Sequence, residues 1–336
     1  MGDTIISFPA IRCLRTIFPQ AHIYVLARSH LAELWRANPD VDEVIPYDMP
    51  KGVRRIFAEL KIARLLMGRR IDLAVVLPSS FSSAWMVFLG GIPYRIGYVG
   101  EARDWLLTER VRRNPELLSK HRMYYYLNLI KNLGHFISPP LPSLSLNGKI
   151  EKWANDFLSQ NGLREKLLIG FNAGATYGEA KCWPLERFVE LGGRLIKDYG
   201  ASILIFGSPN PKEMMLNTAI AQGIGEGCLN LAGETSLLQL ASLLRHCRLL
   251  VTNDTGTMHV GAAVGTRVVA IFGPTDPRTT SPLGDGHIVV RRDVPCSPCL
   301  KRVCPEDHQC MELIKVDDVY KVVEAKLKEG PSSVEG

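Results

Sequence analysis

Alternating helix and strand patterns constrain the fold of this 336-residue chain more than any other feature. In the first half, apolar residues at helical spacing predict a helix over 4–17, and HIYVLA predicts a strand over 22–27. A helix at 29–37, a strand at 43–46, a helix at 51–68 and a strand at 72–77 follow, then a helix after LPSS and a short strand in PYRIGY. SPPLPSLSLNG at 138–148 is rich in Pro and Ser and reads as a linker. The rhythm then restarts with a strand and Gly-containing loop at 167–175. PLERFVELGGRLIKDYG is an amphipathic helix with Pro184 near its first turn and Gly200 at its end. Strands in ASILIFGS, RLLVTNDTG and RVVAIFGP alternate with further helices, and VDDVYKVVEAKLKEG closes the pattern. Such alternation builds parallel sheets covered by helices. The reading is therefore α/β, with two sheet domains whose ligands bind at the carboxyl ends of strands. The opening MGDTIISFPAIR begins midway through this rhythm: Gly2-Asp3 sits where a strand-to-helix turn belongs, and no strand stands before it.

Hydrophobic residues make up 46% of the chain, enough for ordinary cores. No apolar run approaches the roughly 18 residues that span a bilayer, and Asp3 and Arg12 interrupt any secretory pattern. A cytoplasmic protein is expected. The net charge of +6 is mild but clustered. KGVRRIFAELKIARLLMGRR carries seven Lys/Arg and one Glu with apolar residues at helical spacing. It reads as a basic amphipathic helix for an anionic surface, or as a solvated helix face. A second basic cluster, ERVRRNPELLSKHRMYYY, lies in the same half. Neither contains a nucleic-acid motif, so DNA and RNA are not expected partners.

Two loops of the second half suit phosphate. In VTNDTGTMHVGAA, a strand ends, an acidic turn follows, and Thr255-Gly256 opens a helix whose first N–H groups are free to bind an anion. Asp254 fits a turn-capping role, and a plain capped helix would look the same. In NAGATYGEAKCWP, Thr176 offers a hydroxyl and Lys181 a point charge suited to a diphosphate. Neither loop has P-loop spacing, and no dinucleotide fingerprint occurs.

PCSPCLKRVCPEDHQC brings Cys296, Cys299, Cys304 and Cys310 together with spacing C-x2-C-x4-C-x5-C and His308 inside. In a reducing compartment this pattern suits structural zinc or an iron–sulfur cluster better than disulfides. A reduced loop is the simpler alternative.

GDTIISFPAIR, LPSSFSSAW…GGIPYRIGYVGEARDWLL, NAGATYGEAKCWP, LAGETSLLQL and VTNDTGTMHVGAAVGTRVVAIFGPTDP together resemble the bacterial lipopolysaccharide heptosyltransferases, glycosyltransferase family 9. The branch that adds the second heptose is the most similar. The resemblance runs from Gly2 to about Tyr320. It implies a GT-B fold, two Rossmann-like domains facing a cleft, with the first strand of the N-terminal domain apparently missing. An acceptor domain is expected over 1–145, a nucleotide-sugar domain over 146–315, and a helix and tail over 316–336 that pack back on the first domain. The resemblance further implies an inverting, metal-independent transfer of heptose from ADP-L-glycero-D-manno-heptose to heptose I of the inner core. Asp3 matches the catalytic aspartate, the base that accepts the acceptor's proton; capping the first helix is its structural alternative. Thr176, Lys181, Asp254, Thr255, Gly256 and His259 would hold or shape the donor diphosphate. Arg54, Arg55, Arg95, Lys120 and Arg122, ranked by location alone, would meet an acceptor bearing Kdo carboxylates and lipid A phosphates at the cytoplasmic face of the inner membrane. No cofactor is required for catalysis. A transferase using another nucleotide sugar, or a non-catalytic nucleotide-sugar-binding protein, would share these features. Family members usually carry a strand before the Gly-Asp pair, so the chain is expected to start late and to expose an apolar strand edge.

Overall fold

The computed structural model describes residues 1–134 and 139–329. Ser138 of the Pro-rich stretch and the last residues of the expected tail lie outside them. The chain divides into two compact units, one of Ile6–Pro140 and one of Leu141 onward together with Met1–Ile5. The division after Pro140 falls inside the Pro-rich stretch.

The first unit is built from short parallel strands. After α1 (Gly2–Ile17), whose first turn counts with the other unit, β1 (Tyr24–Arg28) leads through α2 (Ala32–Arg36) to β2 (Glu43–Tyr47). Then come α3 (Arg54–Met67), β3 (Leu73–Val76), α4 (Phe81–Leu89), β4 (Tyr94–Tyr98), β5 (Glu109–Val111), α5 (Pro115–Ser119) and α6 (Arg122–Lys131). Among the described residues β1 pairs only with β2, in the register Tyr24 to Glu43 through Arg28 to Tyr47. β3, β4 and β5 form a separate sheet. Helix α3 starts three residues later than its periodicity suggests, because Gly52 turns through φ 68° just before it. One apolar face of α3 closes on β2 and α4 through Ile45, Ile62, Leu66 and Met86. Arg103 is fully buried and donates to the carbonyls of Tyr98 and Pro78 at 2.6–2.9 Å. Its guanidinium thus ties the end of β4 to the loop before α4.

The second unit contains one continuous sheet. Its elements are α7 (Gly148–Gln160), β6 (Leu167–Asn172), α8 (Leu185–Tyr199), β7 (Ala201–Ile205), α9 (Pro211–Ile224), β8 (Cys228–Asn230), α10 (Leu237–His246), β9 (Leu249–Asn253), α11 (Gly256–Ala263), β10 (Arg267–Phe272), α12 (Pro277–Thr280), β11 (Ile288–Arg291), α13 (Gln309–Glu312) and α14 (Val316–Lys328). All six strands are parallel in the order β11-β10-β9-β6-β7-β8. Winding therefore runs outward in both directions from the β6/β9 pair, the doubly wound order with its switch point there. β7, β9 and most of β6 and β10 are buried along their length, as near-continuous apolar strands between two helical layers must be. Helix α8 stops at Gly200, which takes the left-handed conformation (φ 62°) and donates its N–H to Ile196. The sequence reading sends the closing helix back to the first half. Instead, α14 buries Val316, Val319 and Val323 in the core of the second unit, together with Ile271 and Val290. Its apolar stripe is used there, which corrects that expectation for the described residues.

Candidate active site

The two strands flanking the switch point both end in Asn, and these side chains bind the loops beyond them. Asn172 donates to the Phe206 carbonyl at 2.9 Å, joining the ends of β6 and β7. Asn253 donates to the Ala173 carbonyl at 2.6 Å and accepts the Trp183 N–H at 3.2 Å. Trp183 is itself buried, with its indole N–H bonded to the Ile314 carbonyl at 2.8 Å. The 173–183 loop is therefore fixed at both ends before any ligand binds.

Lys181 sits within this loop, 9% exposed. Its Nζ lies 2.5 Å from Oδ2 of Asp254 and 4.6 Å from the centre of the Tyr177 ring. Thr275 Oγ1 donates to the same Asp254 oxygen at 2.7 Å. A buried charge left unpaired would be costly, and here each charge has its partner. The Lys181–Asp254 pair spans 73 residues of sequence. Thr176 is exposed on the same loop.

Asp254 leads directly into α11. Thr255 occupies the N-cap position, but its side chain makes no cap hydrogen bond. Its hydroxyl instead donates to Asn172 Oδ1 at 3.0 Å and lies 3.3 Å from Thr252 Oγ1. The N–H groups of the first turn of α11 thus lack a side-chain cap, and the helix dipole adds positive potential there. His259, buried one turn into α11, packs beside Gly2: a methyl group on Gly2 would come within 3.0 Å of its Cδ2. A methyl group on Gly256 would come within 2.9 Å of the Gly2 nitrogen. The start of α1 therefore rests on the start of α11 with backbone against backbone. Asp3, the next residue, is exposed.

The structure brings Asp3, Lys181, Asp254, Thr255, Gly256 and His259 into one region at the switch point of the second unit, with Thr176 on its rim. Sequence reasoning missed Asn172, Asn253, Thr275 and Tyr177. The signal available for the first two was two apolar strands, LLIGFN and LLVTN, that each end on an amide. No local signal marks Thr275.

The basic candidates lie in the first unit. Arg54 and Arg55 open α3, with Arg55 donating to Glu59 at 2.9 Å. Lys120 pairs with Glu116 at 2.5 Å on the surface, and Arg122 stacks 4.5 Å over Tyr125. Arg95 is partly engaged within its own unit. Its guanidinium donates to the Leu106 and Pro93 carbonyls at 2.6 and 3.2 Å and to that of Ile92, and it lies over the Phe88 ring. Those carbonyls engage its Nε and Nη1 groups.

All four clustered cysteines are free thiols, and they line one cavity with His308. Burial, then the neighbouring Cys296, Cys299 and Cys304, pushes the Cys310 thiol up to about 11. Among the described residues no three His, Cys, Asp or Glu side chains already stand as a metal cage. The donor set therefore has the right chemistry for a thiophilic metal, without a preformed shell.

A sequence profile of glycosyltransferase family 9 (heptosyltransferase) matches residues 59–309. The chain belongs to this family and is a glycosyltransferase. Lipopolysaccharide heptosyltransferase 2 of Escherichia coli K12 is 36% identical over 300 residues, 87% of this chain and 85% of that protein. Lipooligosaccharide heptosyltransferase 2 of Haemophilus ducreyi is 32% identical, covering 87% and 86% of the two chains. Among solved structures, the ADP-heptose lipopolysaccharide heptosyltransferase II of E. coli superposes with a TM-score of 0.83 at 31% identity, covering 97% of this chain and 95% of that one. The family 9 glycosyl transferase of Veillonella parvula gives 0.84 at 26% identity, covering 97% and 94%. The fold is GT-B.

Proposed function

We propose that this chain is an inverting heptosyltransferase that moves heptose from ADP-L-glycero-D-manno-heptose to heptose I of the lipopolysaccharide inner core. Its similarity to a lipopolysaccharide heptosyltransferase 2 and to an ADP-heptose lipopolysaccharide heptosyltransferase II supports the donor and the class of acceptor. The observation that carries the reading is the start of α1 resting on the uncapped start of α11. On this reading Asp3, one residue beyond that contact, serves as the general base, and the start of α11 as the anion-binding end.

In this reading the diphosphate of the donor sits at the N-terminus of α11, accepting backbone N–H bonds from the Gly256 turn. Lys181 adds charge from the opposite loop, while Thr275 keeps Asp254 in position. As the acceptor oxygen attacks the anomeric carbon, its proton passes to the Asp3 carboxylate. The bond from that carbon to the β-phosphate oxygen breaks, and its electron pair leaves with ADP. Attack opposite the leaving group inverts the centre. Charge on ADP is neutralised by Lys181 and the helix end, so no Mg²⁺ or Mn²⁺ bridge to the diphosphate is required. Arg54, Arg55, Arg95, Lys120 and Arg122 are the acceptor-side candidates.

Helix α3 supports a membrane-surface location. Val53, Ile56, Phe57, Leu60 and Met67 are exposed beside Lys51, Arg54, Arg55, Lys61 and Arg64. An apolar ridge flanked by cations suits an anionic lipid interface, where a lipid-linked acceptor would be found. No described helix is long and apolar enough to cross a membrane.

Asp3→Ala tests the mechanism. Transfer should fall to background while ADP titration stays within about twofold, because the base is not a donor ligand. Joint loss of both would make Asp3 structural. Turnover unchanged on omission of Mg²⁺ and Mn²⁺ is the expected result for the leaving-group scheme.

A further inference from the structure

The cysteine-rich segment does more than fill a loop: it holds the loop that carries Lys181. The Tyr177 hydroxyl donates to the Leu300 carbonyl at 2.7 Å, and the Ala180 N–H donates to the Arg302 carbonyl at 3.1 Å. His308 Nε2 donates to the Ala180 carbonyl at 2.7 Å. At Gly178 the two segments touch so closely that a methyl group would come within 2.2 Å of the Arg302 oxygen. The same segment also holds the loop after β10. The Leu300 N–H donates to the Pro274 carbonyl at 2.9 Å, and Ser297 Oγ to that of Gly273 at 2.6 Å. That second loop supplies Thr275, the partner of Asp254. Both sides of the Lys181–Asp254 pair are thus held by residues 297–308.

Two features show that this segment is constrained from outside its own sequence. Leu300 and His308 both have φ of 57°, a conformation uncommon for non-glycine residues and costly for leucine. Both are among the residues that grip the Lys181 loop. Behind this grip, Cys296, Cys299, Cys304 and Cys310 face a cavity of about 20 Å³, the room of a single ion or water. A methyl group on Gly273 would come within 3.1 Å of Cys310 Sγ, so the cavity lies directly against the Thr275 loop.

We propose that the four thiols bind one thiophilic divalent metal of the zinc class, and that its occupancy locks the 297–308 segment onto the Lys181 loop. Soft sulfur donors select such a metal over Mg²⁺. Metal–sulfur bonds form as the thiols give their protons to solvent, with no change of oxidation state. Because no cage is preformed among the described residues, the thiols must converge on the ion. That convergence is what couples metal to loop. The metal does not touch the diphosphate and takes no part in transfer. His308, Tyr177 and Leu300 are positioning residues.

Full-length protein freed of metal under anaerobic, reducing conditions is titrated with Co²⁺, and hydrogen exchange is followed over 177–183. We expect one Co²⁺ per chain with thiolate charge-transfer and tetrahedral bands, displaced by Zn²⁺, and exchange at Ala180 and Lys181 slowed about tenfold. Cys304→Ser and Cys296→Ser, at cysteines that are not fully buried, should weaken uptake and restore fast exchange. His308→Ala should keep the Co²⁺ bands but lose much of the protection, separating grip from metal. Absence of stoichiometric Co²⁺–thiolate bands in the unmutated chain overturns the proposal, and so does full loading with unchanged exchange. ADP affinity is measured alongside. It rests on reading 173–183 as the diphosphate loop, so slowed exchange without tighter ADP binding would overturn that reading and leave the metal-held grip standing.

Discussion

The two units use the same parallel βα pattern to opposite ends. In the second, six strands form one sheet, and β7 and β9 are buried at every position. In the first, five strands split into sheets of two and three, and β1 and β3 are each fully buried at one residue only. Helix α3 adds an exposed apolar ridge to the first unit. A fully wrapped sheet makes a rigid switch point and can hold small groups to fractions of an ångström. A divided, half-covered one presents more surface.

The most direct way to break this contrast is to exchange catalytic and surface effects. Lys181→Ala should lower turnover by about 10²–10³-fold, the scale of losing one charge-stabilising group. Arg54→Ala should leave turnover nearly intact and raise the acceptor KM by about two- to fivefold, as expected of an exposed charge. Steady-state kinetics with both substrates decides, and equal losses of turnover would dissolve the division of labour. Next in size, Ile203→Ala in β7 should cost about 3–4 kcal/mol of unfolding free energy, whereas Leu26→Ala in half-covered β1 should cost about 1. Urea titrations that returned equal costs would show the first unit to be as tightly packed as the second. Phe57→Ser, at a side chain 68% exposed, should leave the urea midpoint unchanged. It should weaken partition onto anionic vesicles about tenfold, and onto neutral vesicles much less.

The smallest effect concerns pH. Burial, opposed by a bond to Leu283 and the charge of Asp285, holds the His287 imidazole below its ordinary pKa of 6.5. Its Nδ1 accepts the Val268 N–H at 3.1 Å, which requires the neutral ring. Below pH 6.5 the unfolded chain binds a proton that the folded chain refuses, so stability falls as the pH drops through that value. His287→Gln should flatten this slope in melts of the second unit and leave the first unit's transition unchanged.

Long apolar strands were readable because nothing else in the sequence looks like LLIGF or RVVAIF. β5, only ERV, and β11, IVVR behind a Gly-rich turn, are too short to give a period. Helix α7 hides behind the Pro-rich stretch, although Asn147 caps it by accepting the Ile150 N–H. At the site, the residues on loops after strands could be read from local pattern. The Lys181–Asp254 pair could not, because only the β6/β9 neighbourhood brings residues 73 positions apart together. The carbonyls that engage Arg95 were hidden for a related reason: charge is visible in sequence, but its partners are not. The destination of α14 was hidden because an amphipathic helix announces a buried face without naming what covers it.

The seating of Gly2 on Gly256 sets a spacing by close backbone contact. A gap defined by hydrogen-bonding side chains can be retuned by a rotamer or a water, whereas two bare backbones meet at one separation. The carboxylate on the next residue therefore inherits its depth from the hardness of atoms.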